Sequence, residues 1–398
     1  MPSQDVIVVG AGPVGLVTAY GLARRGVSVT VLEAEDDVVD SPRAMVYHWA
    51  LLEDLERLDL LAEIDRRGFR KDDYGYRVHT TGEMLTYTLD SLADETPFPY
   101  NIHLGQDALC TIVLERLNTF PHATVRWGTP VTALEQDAGG VRVTARTSEG
   151  EEQHDAAWLI GSDGARSTVR GLLAVPFQGM TWAQRFVATN VFYDFAAHGY
   201  TRSVFLMDDV HGAVIAKITD QDLWRVTYSE PLTEPEERIG ARLPAQYAAI
   251  LPDDRAYEVE RYAPYRLHQR AAERFRVGRV LLAGDAAHAT NPTGGFGLAS
   301  GLCGAFALID PLASVAAHGA DPACLDQWAD ERRRIFLEIA SPAATRMKQT
   351  VYDADASAGH ETIEALRRMI ADPAALRERL MFPTKLKSST PALSERLR

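Results

Sequence analysis

Cysteine is scarce in this sequence: its 398 residues include three, Cys110, Cys303 and Cys324. They lie far apart and form no CxxC pair, which excludes a disulfide framework, a zinc knuckle and a dithiol redox centre. We therefore expect no metal site, and we predict that the protein works in a reducing, cytoplasmic setting.

Positive charge is also in short supply, since 41 basic residues face 55 acidic ones and give a net charge of −14. An acidic surface argues against a nucleic-acid partner. Long apolar runs are missing too: no stretch reaches about 18 residues, so no membrane span is expected. The opening segment MPSQDVIVVGAG has neither a basic region nor a cleavage site, and we expect no secretory signal.

What the sequence does have, close to its start, is a strand that runs into a glycine-rich turn. Val6–Val9 is a short β-branched run, and the GAGPVG segment at residues 10–15 follows it as a GxGxxG pattern. A helix is predicted from about Pro13 to Arg25, and a second strand, Ser28–Leu32, ends in Glu33. This order is typical of a dinucleotide-binding βαβ unit.

Each residue of the glycine turn has a physical task. Gly10 permits the tight turn, Gly12 lets the backbone approach a pyrophosphate, and Gly15 lets the helix pack closely on the strand. The free N–H groups at the helix N-terminus face the phosphates, and Glu33 is placed to accept hydrogen bonds from ribose hydroxyls. The unit fits FAD or NAD(P), although an acid at this position disfavours the 2′-phosphate of NADP.

Two further motifs occur later in the chain, each after a predicted buried strand. Trp158–Ile160 leads into the GSDG segment at residues 161–164, and Val280–Ala283 leads into Gly284-Asp285. The following segment is rich in glycine, which indicates that the backbone approaches a ligand closely. A helix is then predicted to run to about Ala316, and the N–H groups at its start would stabilise negative charge.

Together the three motifs resemble those of the class A flavoprotein monooxygenases, the family of para-hydroxybenzoate hydroxylase and phenol hydroxylase. The resemblance covers about Asp5 to Pro311, with the motifs in the family's order and spacing. It implies that the GxGxxG segment binds the ADP half of FAD and that Asp163-Gly164 contacts the cofactor region and is linked to NAD(P)H. It also implies that Asp285 holds the ribityl chain. Ala299 and Gly304 depart from the family, which often has Asn and an acid there.

Other positions take expected roles from the same resemblance. Arg43, in the SPRA segment at residues 41–44, matches an arginine that lies over the flavin and the pyrophosphate. Gln106, just before a helix predicted from about Asp107 to Asn118, matches a glutamine that reaches the ribityl chain. The predicted cofactor-binding residues are Gly10, Gly12, Pro13, Val14, Gly15, Glu33, Ala34, Arg43, Gln106, Asp163, Gly164, Gly284, Asp285, Pro292, Gly295, Gly297, Leu298 and Ala299.

The middle of the chain has a different pattern, with short strands separated by turns. This pattern indicates an antiparallel sheet rather than another βαβ unit, and such a sheet can form the lid of a ligand pocket. Strands are predicted at Tyr76–His79, Met84–Thr88, Phe186–Phe192, Ser203–Met207, Ala213–Ile218 and Trp224–Ser229.

Polar side chains on this sheet are candidates for binding an aromatic substrate, which the resembled family holds beneath the flavin. The face of each strand that points inward stays open, because a one-residue error in register reverses the assignment. The sequence identifies no clear catalytic base. The predicted substrate-binding residues are Arg225, Tyr193 and Arg202, and the candidates for a catalytic role are Arg43, Pro292, His48, Tyr228 and His211.

The predicted fold class is α/β. It comprises a Rossmann-like FAD-binding domain of the glutathione-reductase type, an inserted antiparallel-sheet substrate domain and a C-terminal helical segment. The predicted FAD-binding domain comprises residues 1–75, 101–176 and 277–320, and the substrate domain comprises residues 76–100 and 177–276. Residues 321–398 are expected to pack over the FAD-binding domain and to end in a polar, frayed tail from Thr384.

These features predict an FAD-dependent aromatic hydroxylase that uses NAD(P)H and dioxygen. The resemblance implies a reaction through a flavin C4a-hydroperoxide on a phenolic or hydroxypyridine-like ring. The alternatives are a reductase or desaturase that inserts no oxygen and a non-catalytic FAD-binding protein; a flavin-dependent halogenase is disfavoured because its WxWxIP signature is absent. The identity of the substrate, the choice of NADH or NADPH and the choice of monomer or homodimer stay open.

Overall fold

The computed structural model describes residues 4–40, 45–219, 221–354 and 356–388. Its strands are β1 Gln4–Val9, β2 Val29–Leu32, β3 Val46–Tyr47, β4 Phe69–Lys71, β5 Asp73–Val78, β6 Met84–Thr88, β7 Asn101–His103, β8 Ala123–Arg126, β9 Val131–Gln136, β10 Val141–Thr147, β11 Gly150–Gly161, β12 Phe177–Phe192, β13 Ser203–Met207, β14 Ala213–Lys217, β15 Leu223–Pro231, β16 Glu258–Ala272, β17 Arg276–Val277, β18 Val280–Leu282 and β19 His288–Ala289.

The helices alternate with the strands in the first third of the chain and dominate its last quarter. A π-helical turn, Phe336–Ala340, joins α8 to α9. The α-helices are α1 Pro13–Ala23, α2 Trp49–Arg57, α3 Leu61–Arg67, α4 Gln106–Leu117, α5 Thr168–Leu172, α6 Ile239–Ile250, α7 Phe296–His318, α8 Ala323–Ile335, α9 Ser341–Tyr352, α10 Ala356–Ala371 and α11 Pro373–Leu380.

The first sheet is the dinucleotide-binding layer that the sequence predicts. Its strand order is β17-β18-β11-β1-β2-β8, and all neighbours from β18 to β8 are parallel. The β-branched residues of β1, from Val6 to Val9, are almost fully buried, as expected for a strand covered on both faces. The predicted Rossmann-like fold class is therefore confirmed at the level of sheet topology.

Helix α7 is the longest helix described, and it packs against α1. By length and composition it is apolar enough to cross a membrane, and 72% of its most apolar window is buried within the protein. A core helix of this kind reads as apolar all round because it has little contact with solvent. The expected absence of a membrane span stays a prediction.

The second sheet has the order β19-β16-β12-β15-β14-β13-β5-β6. It is antiparallel as predicted, except that β13 pairs with β5 in parallel. Sequence reasoning missed β16, the long strand that pairs with β12. One face of the sheet packs against α6, where Leu243 and Tyr247 join its core, and the other face packs against the C-terminal helices.

A third, small sheet, β3-β7-β4, lies between these two layers. Lys71 pairs with Asn101 in register, and His103 lies two residues further along β7, so the three side chains share one face. All three are at most 1% exposed, and Nδ1 of His103 lies 2.7 Å from the Lys217 carbonyl of the second sheet. This sheet therefore connects the layers through a buried polar face.

The C-terminal helices were expected over the FAD-binding domain, and this expectation is only partly right. Helix α8 packs against α7, whereas α9 packs against β13 and β14, α10 against β6, and α11 against the turn after β6. The indole N–H of Trp49 donates to the Leu380 carbonyl at 3.1 Å. The segment after Thr384 is not frayed at its start, because Leu386 is 1% exposed and its carbonyl accepts from Arg332. Residues 389–398 lie outside the described residues.

Candidate flavin and aromatic-substrate site

The three sequence motifs meet at one edge of the first sheet. Strand β11 pairs with β1 so that Gly161 lies beside Val9, and β18 pairs with β11 so that Leu282 lies beside Gly161. Because these strands are parallel, the turns that follow them all emerge at the carboxyl edge, which is where α/β sheets bind nucleotides. Motifs far apart in sequence therefore form a single cleft.

This nucleotide cleft has a volume of about 440 Å³. Thirteen of the eighteen predicted cofactor-binding residues line it. They are Gly10, Gly12, Pro13, Val14, Glu33, Ala34, Gln106, Asp163, Gly164, Gly284 and Asp285 and, from the start of α7, Gly297 and Leu298.

The glycine turn has the geometry that close approach of a pyrophosphate requires. Gly10 has a φ of +103°, and a Cβ atom there would lie 2.6 Å from the Ser162 carbonyl oxygen, so both backbone strain and contact exclude a side chain. A Cβ atom on Gly12 would meet no atom within 4 Å. The Gly12 position therefore opens into the cleft, directly before the N-terminus of α1.

Glu33, at the end of β2, does more than line the cleft. Its Oε2 accepts from the Ala11 N–H at 2.5 Å, and its Oε1 accepts from the Glu35 N–H at 3.0 Å. The carboxylate thus braces the glycine turn through Ala11. A ribose hydroxyl would be a further donor to the same group, since a carboxylate has about four lone-pair sites.

Asp163 has a similar double function. Its carboxylate accepts from the Ser167 hydroxyl at 2.5 Å and from the Val169 N–H at 3.0 Å, which fixes the loop that precedes α5. Ser162, beside it, donates to the Val9 carbonyl at 2.9 Å. The second motif is therefore tied both to its own helix and to the end of β1.

These residues fit FAD. The cleft combines a glycine cradle, a helix N-terminus for phosphate charge and the carboxylates of Glu33 and Asp285 for hydroxyl groups. It is long enough to be lined by residues from β1, β2, α4, the turn after β11 and the start of α7. Among the residues that the structure describes, no group of three or more His, Cys, Asp or Glu side chains is arranged to hold a metal ion.

Four predicted cofactor-binding residues do not line the cleft, and a fifth lies outside the described residues. Gly15 is buried where α1 crosses the glycine turn, and Ala299 is buried in α7. Pro292 and Gly295 belong to the loop before α7, beyond the end of the cleft. Arg43 lies in the segment 41–44, outside the described residues.

A second cavity, of about 460 Å³, lies on the other side of the loop that precedes α7. Gly294 and Phe296 of this loop line the second cavity, whereas Gly297 and Leu298 line the nucleotide cleft. Seven of its 22 lining residues are Phe, Tyr or Trp. Besides Phe296, the aromatic lining consists of Trp49, Tyr74, Tyr76, Tyr87, Phe205 and Phe382. We name this space the aromatic cavity.

His48, one of the candidates for a catalytic role, lines the aromatic cavity. Its ring stacks on Phe296, and its Nε2 lies 3.1 Å from the Gly294 carbonyl oxygen. Burial lowers the pKa of His48 to about 4, so the imidazole is neutral at pH 7. Because a carbonyl only accepts, Nε2 carries the hydrogen and Nδ1 is an acceptor. Gly295, at a φ of +71°, leaves room for this ring.

Tyr74 brings a fixed hydroxyl to the same cavity. Its oxygen accepts from the side-chain amide N–H of Asn101 at 2.5 Å, and Oδ1 of Asn101 in turn accepts from the backbone N–H of Trp49 at 2.8 Å. Burial raises the pKa of the Tyr74 phenol, which keeps it protonated. Its O–H is therefore a donor whose position is set by two further residues, while the Lys71 amine lies over its ring.

The predicted substrate and catalytic residues on the second sheet do not line the aromatic cavity. Tyr228 and Tyr193 point to the α6 face, in the core with Trp224 and Tyr247. Successive residues of a strand point to opposite faces of the sheet. Because Tyr228 and Tyr193 face α6, the residues next to them in sequence face the side of the sheet where the aromatic cavity lies. Which face is inward is the point that the sequence leaves open.

The other three candidates on this sheet have different partners. Arg225 does lie on the inward face, but it is buried, and two of its nitrogens donate to the side-chain oxygen Oδ1 of Asn190 at 3.1 Å. Arg202 forms ion pairs with Asp72 and Asp73 at the start of β5. His211 lies in the hairpin between β13 and β14, with its ring 5.3 Å from that of His79. None of the three lines either cavity.

Sequence reasoning missed most residues that line the aromatic cavity. One signal was present: in β5 the alternation Tyr74-Gly75-Tyr76 puts two phenols on one face. The side chains from the C-terminal helices, such as Arg346 and Arg379, gave no such signal, because a helix pattern does not say which surface its face covers.

The fold and the cleft define a flavoprotein with a dinucleotide-binding sheet and a separate cavity for an aromatic ring. A family model described as FAD binding domain matches residues 3–341. The chain is 42% identical to 6-hydroxy-3-succinoylpyridine 3-monooxygenase HspB of Pseudomonas putida, covering 97% of this chain and 98% of the relative. It is 40% identical to para-nitrophenol 4-monooxygenase of a Pseudomonas species, covering 96% of each.

A solved structure agrees with these relatives. The crystal structure of p-nitrophenol 4-monooxygenase PnpA from Pseudomonas putida has a TM-score of 0.94 to this chain at 39% identity, covering 98% of this chain and 99% of that one. The chain belongs to the family of FAD-dependent aromatic monooxygenases. The predicted cofactor, FAD, and the predicted enzyme class are confirmed, and the two non-hydroxylating alternatives lose their support.

Proposed function

We propose that this enzyme hydroxylates a phenol or hydroxypyridine that carries a substituent para to its hydroxyl group. The observation that carries the proposal is the aromatic cavity, where neutral His48 and the fixed hydroxyl of Tyr74 stand among aromatic side chains beside the loop that borders the nucleotide cleft. The names of the relatives support it. In para-nitrophenol and in 6-hydroxy-3-succinoylpyridine the hydroxyl and the substituent lie para to each other, and both names put the oxygenation at the substituted ring atom.

The nucleotide cleft supports a division of labour between segments. Its lining falls within residues 9–39, 106–131, 162–168 and 284–298, all inside the segments 1–75, 101–176 and 277–320 that we assign to FAD binding. We assign substrate binding to segments 76–100 and 177–276 and, in addition, to the C-terminal segment 321–398, because α9, α10 and α11 supply one wall of the aromatic cavity. His48 and Tyr74 reach the same cavity from segment 1–75, so this segment contributes to both sites.

When bound, FAD accepts electrons from NAD(P)H and activates dioxygen for insertion of one oxygen atom into the ring. The protein's own groups bind and orient that ring. The Tyr74 hydroxyl donates to the ring oxygen, and Nδ1 of His48 accepts the ring's hydroxyl proton in a hydrogen bond, which activates the ring towards an electrophile. Tyr76, Tyr87 and Phe205 stack around the ring and exclude water.

Family membership also supports a proposal about the setting of the enzyme. We propose a cytoplasmic enzyme that takes a small aromatic substrate and dioxygen and acts as a monomer or homodimer, without a nucleic-acid partner. No second GxGxxG motif is present for NAD(P)H, so we propose that the nicotinamide cofactor docks transiently rather than in a site of its own.

The decisive experiment measures NADH and NADPH oxidation in air by the FAD-loaded enzyme with para-nitrophenol, meta-nitrophenol and unsubstituted phenol. We expect the para compound to stimulate oxidation most. Isotopically labelled dioxygen should put its label on the ring carbon that bore the nitro group, which leaves as nitrite while the ring becomes a quinone. Oxidation without label in any aromatic product would overturn the proposal in favour of a reductase. Equal stimulation by the meta compound would refute the para preference.

The role of Tyr74 gives a separate prediction. Tyr74→Phe should raise the dissociation constant of the phenolic substrate about tenfold, since one net hydrogen bond contributes about 1 kcal/mol and Asn101 also loses its acceptor. Calorimetric titration of the oxidised enzyme measures this without turnover. Tyr47→Phe is the matched control, because the buried Tyr47 hydroxyl has no hydrogen-bond partner among the described residues and lines neither cavity. Equal affinities in wild type and Tyr74→Phe would rule out the assigned contact.

A further inference from the structure

Two arginines line the aromatic cavity from the C-terminal helices. Arg346 belongs to α9 and Arg379 to α11. Arg379 is held in place: its Nη2 donates to the Tyr76 hydroxyl at 2.5 Å and lies 3.5 Å from the sulfur of Met347. The wall of the aromatic cavity that α11 supplies thus presents a guanidinium whose position is fixed.

Neither arginine has a salt-bridge partner among the residues that the structure describes, although neighbouring arginines do. Arg377, on the same helix as Arg379, forms an ion pair with Glu95, and Arg367 on α10 forms one with Glu83. Arg379 bonds to a neutral phenol instead. A cation that the protein leaves uncompensated on the wall of a cavity favours a ligand that carries the opposite charge.

The position of Arg379 relative to Tyr74 matches the length of a para-substituted ring. Tyr74 and Tyr76 are two residues apart on one face of β5, which separates them by about 7 Å along the strand. Tyr74 offers its O–H, and Tyr76 carries the guanidinium of Arg379. A benzene or pyridine ring with its two para substituents spans this separation.

We propose that Arg379, assisted by Arg346, binds the substituent para to the ring hydroxyl and selects substituents with two oxygens of negative or strongly polarised character, that is, carboxylate or nitro groups. The planar guanidinium has five N–H donors in a fork that matches such an oxygen pair, and its hydrogen bonds with the Tyr76 and Tyr87 phenols occupy only part of it. This inference rests on the proposed function and adds the chemical class of the substituent.

The test is equilibrium binding of ring ligands to the FAD-loaded enzyme by calorimetry, in the absence of NAD(P)H. The probes are para-nitrophenol, para-hydroxybenzoate and, as the neutral isostere, para-hydroxybenzamide. Arg379→Gln should raise the dissociation constants of the nitro and carboxylate ligands about tenfold, the effect of losing a charge-assisted hydrogen bond, and change that of the amide less than about twofold. A uniform change for all three ligands, or no change, overturns the inference.

Further variants separate the role of the guanidinium from general damage. Arg379→Lys keeps the charge but not the fork, so carboxylate binding should fall less than in Arg379→Gln. Tyr76→Phe removes the partner that positions Arg379, and it should weaken the nitro and carboxylate ligands selectively. Arg377→Gln changes an exposed arginine of the same helix that pairs with Glu95 and should leave all three affinities unchanged. Loss of affinity in Arg377→Gln equal to that in Arg379→Gln contradicts the inference.

The outcomes distinguish this inference from the function on which it rests. If the wild type binds the three ligands and Arg379→Gln shows no selectivity, the inference is wrong and the proposed function stands. If the wild type binds none of the rings, the proposed function is wrong, and the assignment of Arg379 is refuted with it. FAD content and the thermal midpoint of each variant, measured alongside, show whether the variant is folded.

Discussion

Asp285→Ala is expected to be purified as a largely colourless protein. Asp285 follows β18, lines the nucleotide cleft and is exposed to it, where its carboxylate would accept a ribityl hydroxyl. A charge-assisted hydrogen bond contributes about 1.5–3 kcal/mol, so its loss should raise the dissociation constant of FAD roughly 10- to 150-fold. The visible flavin absorbance of the purified protein, followed by titration with added FAD, measures this.

Two comparison variants define the result for Asp285. Asp285→Asn keeps the shape and a carbonyl acceptor, and it should retain more FAD than the alanine variant. Asp326→Ala removes an exposed acid of α8 that pairs with Arg276 of β17. This variant should be as yellow as the wild type. A yellow, fully loaded Asp285→Ala protein would disprove the ribityl assignment.

Acidification should destabilise this protein steeply through three buried histidines. Burial lowers the pKa of His48 to about 4 and those of His103 and His288 to about 3, whereas an unfolded histidine titrates near 6.5. Below about pH 6.5 the unfolded chain binds protons that the folded chain does not, so the stability that is present above this pH is lost as the pH falls. Each histidine should cost about 2 kcal/mol by pH 5, or about 6 kcal/mol together.

Urea unfolding at pH 7.5 and at pH 5, with linear extrapolation, measures this loss. His288→Gln should reduce the pH-dependent loss by about 2 kcal/mol relative to the wild type, since the ring of His288 is stacked between Phe275 and Phe336. His318→Gln, at the exposed end of α7, is the control and should leave the pH dependence as it is. A free energy of unfolding that is the same at both pH values would refute the prediction.

The nucleotide cleft could be predicted from the sequence because each of its parts is a local pattern. Gly10, Asp163 and Asp285 each follow a strand at once, and strand parallelism brings them together without further information. The position of Glu33 in the cleft could be predicted in the same way, because it directly follows β2. The double function of its carboxylate, which also holds the Ala11 N–H, required the coordinates.

The aromatic cavity could not be predicted in the same way, because its walls come from distant segments and from particular faces of strands. Choosing between Tyr228 and its neighbours required the register of β15, and a shift of one residue exchanges the face that meets α6 for the face that meets the cavity. Arg379 required the docking of α11 beside β5. The periodicity of an amphipathic helix predicts that one face is buried, but it does not identify the element against which that face packs.

The lining residues of the two cavities also become available at different times during synthesis of the chain. Once residues 1–318 have left the ribosome, every residue that lines the nucleotide cleft has been made, but the wall of the aromatic cavity from α9 to α11 has not. That wall closes through contacts such as Trp49 with Leu380, which join residues 331 positions apart, and contacts of such long range form late and slowly. The order of synthesis therefore completes the lining of the nucleotide cleft before it supplies the α9–α11 wall of the aromatic cavity.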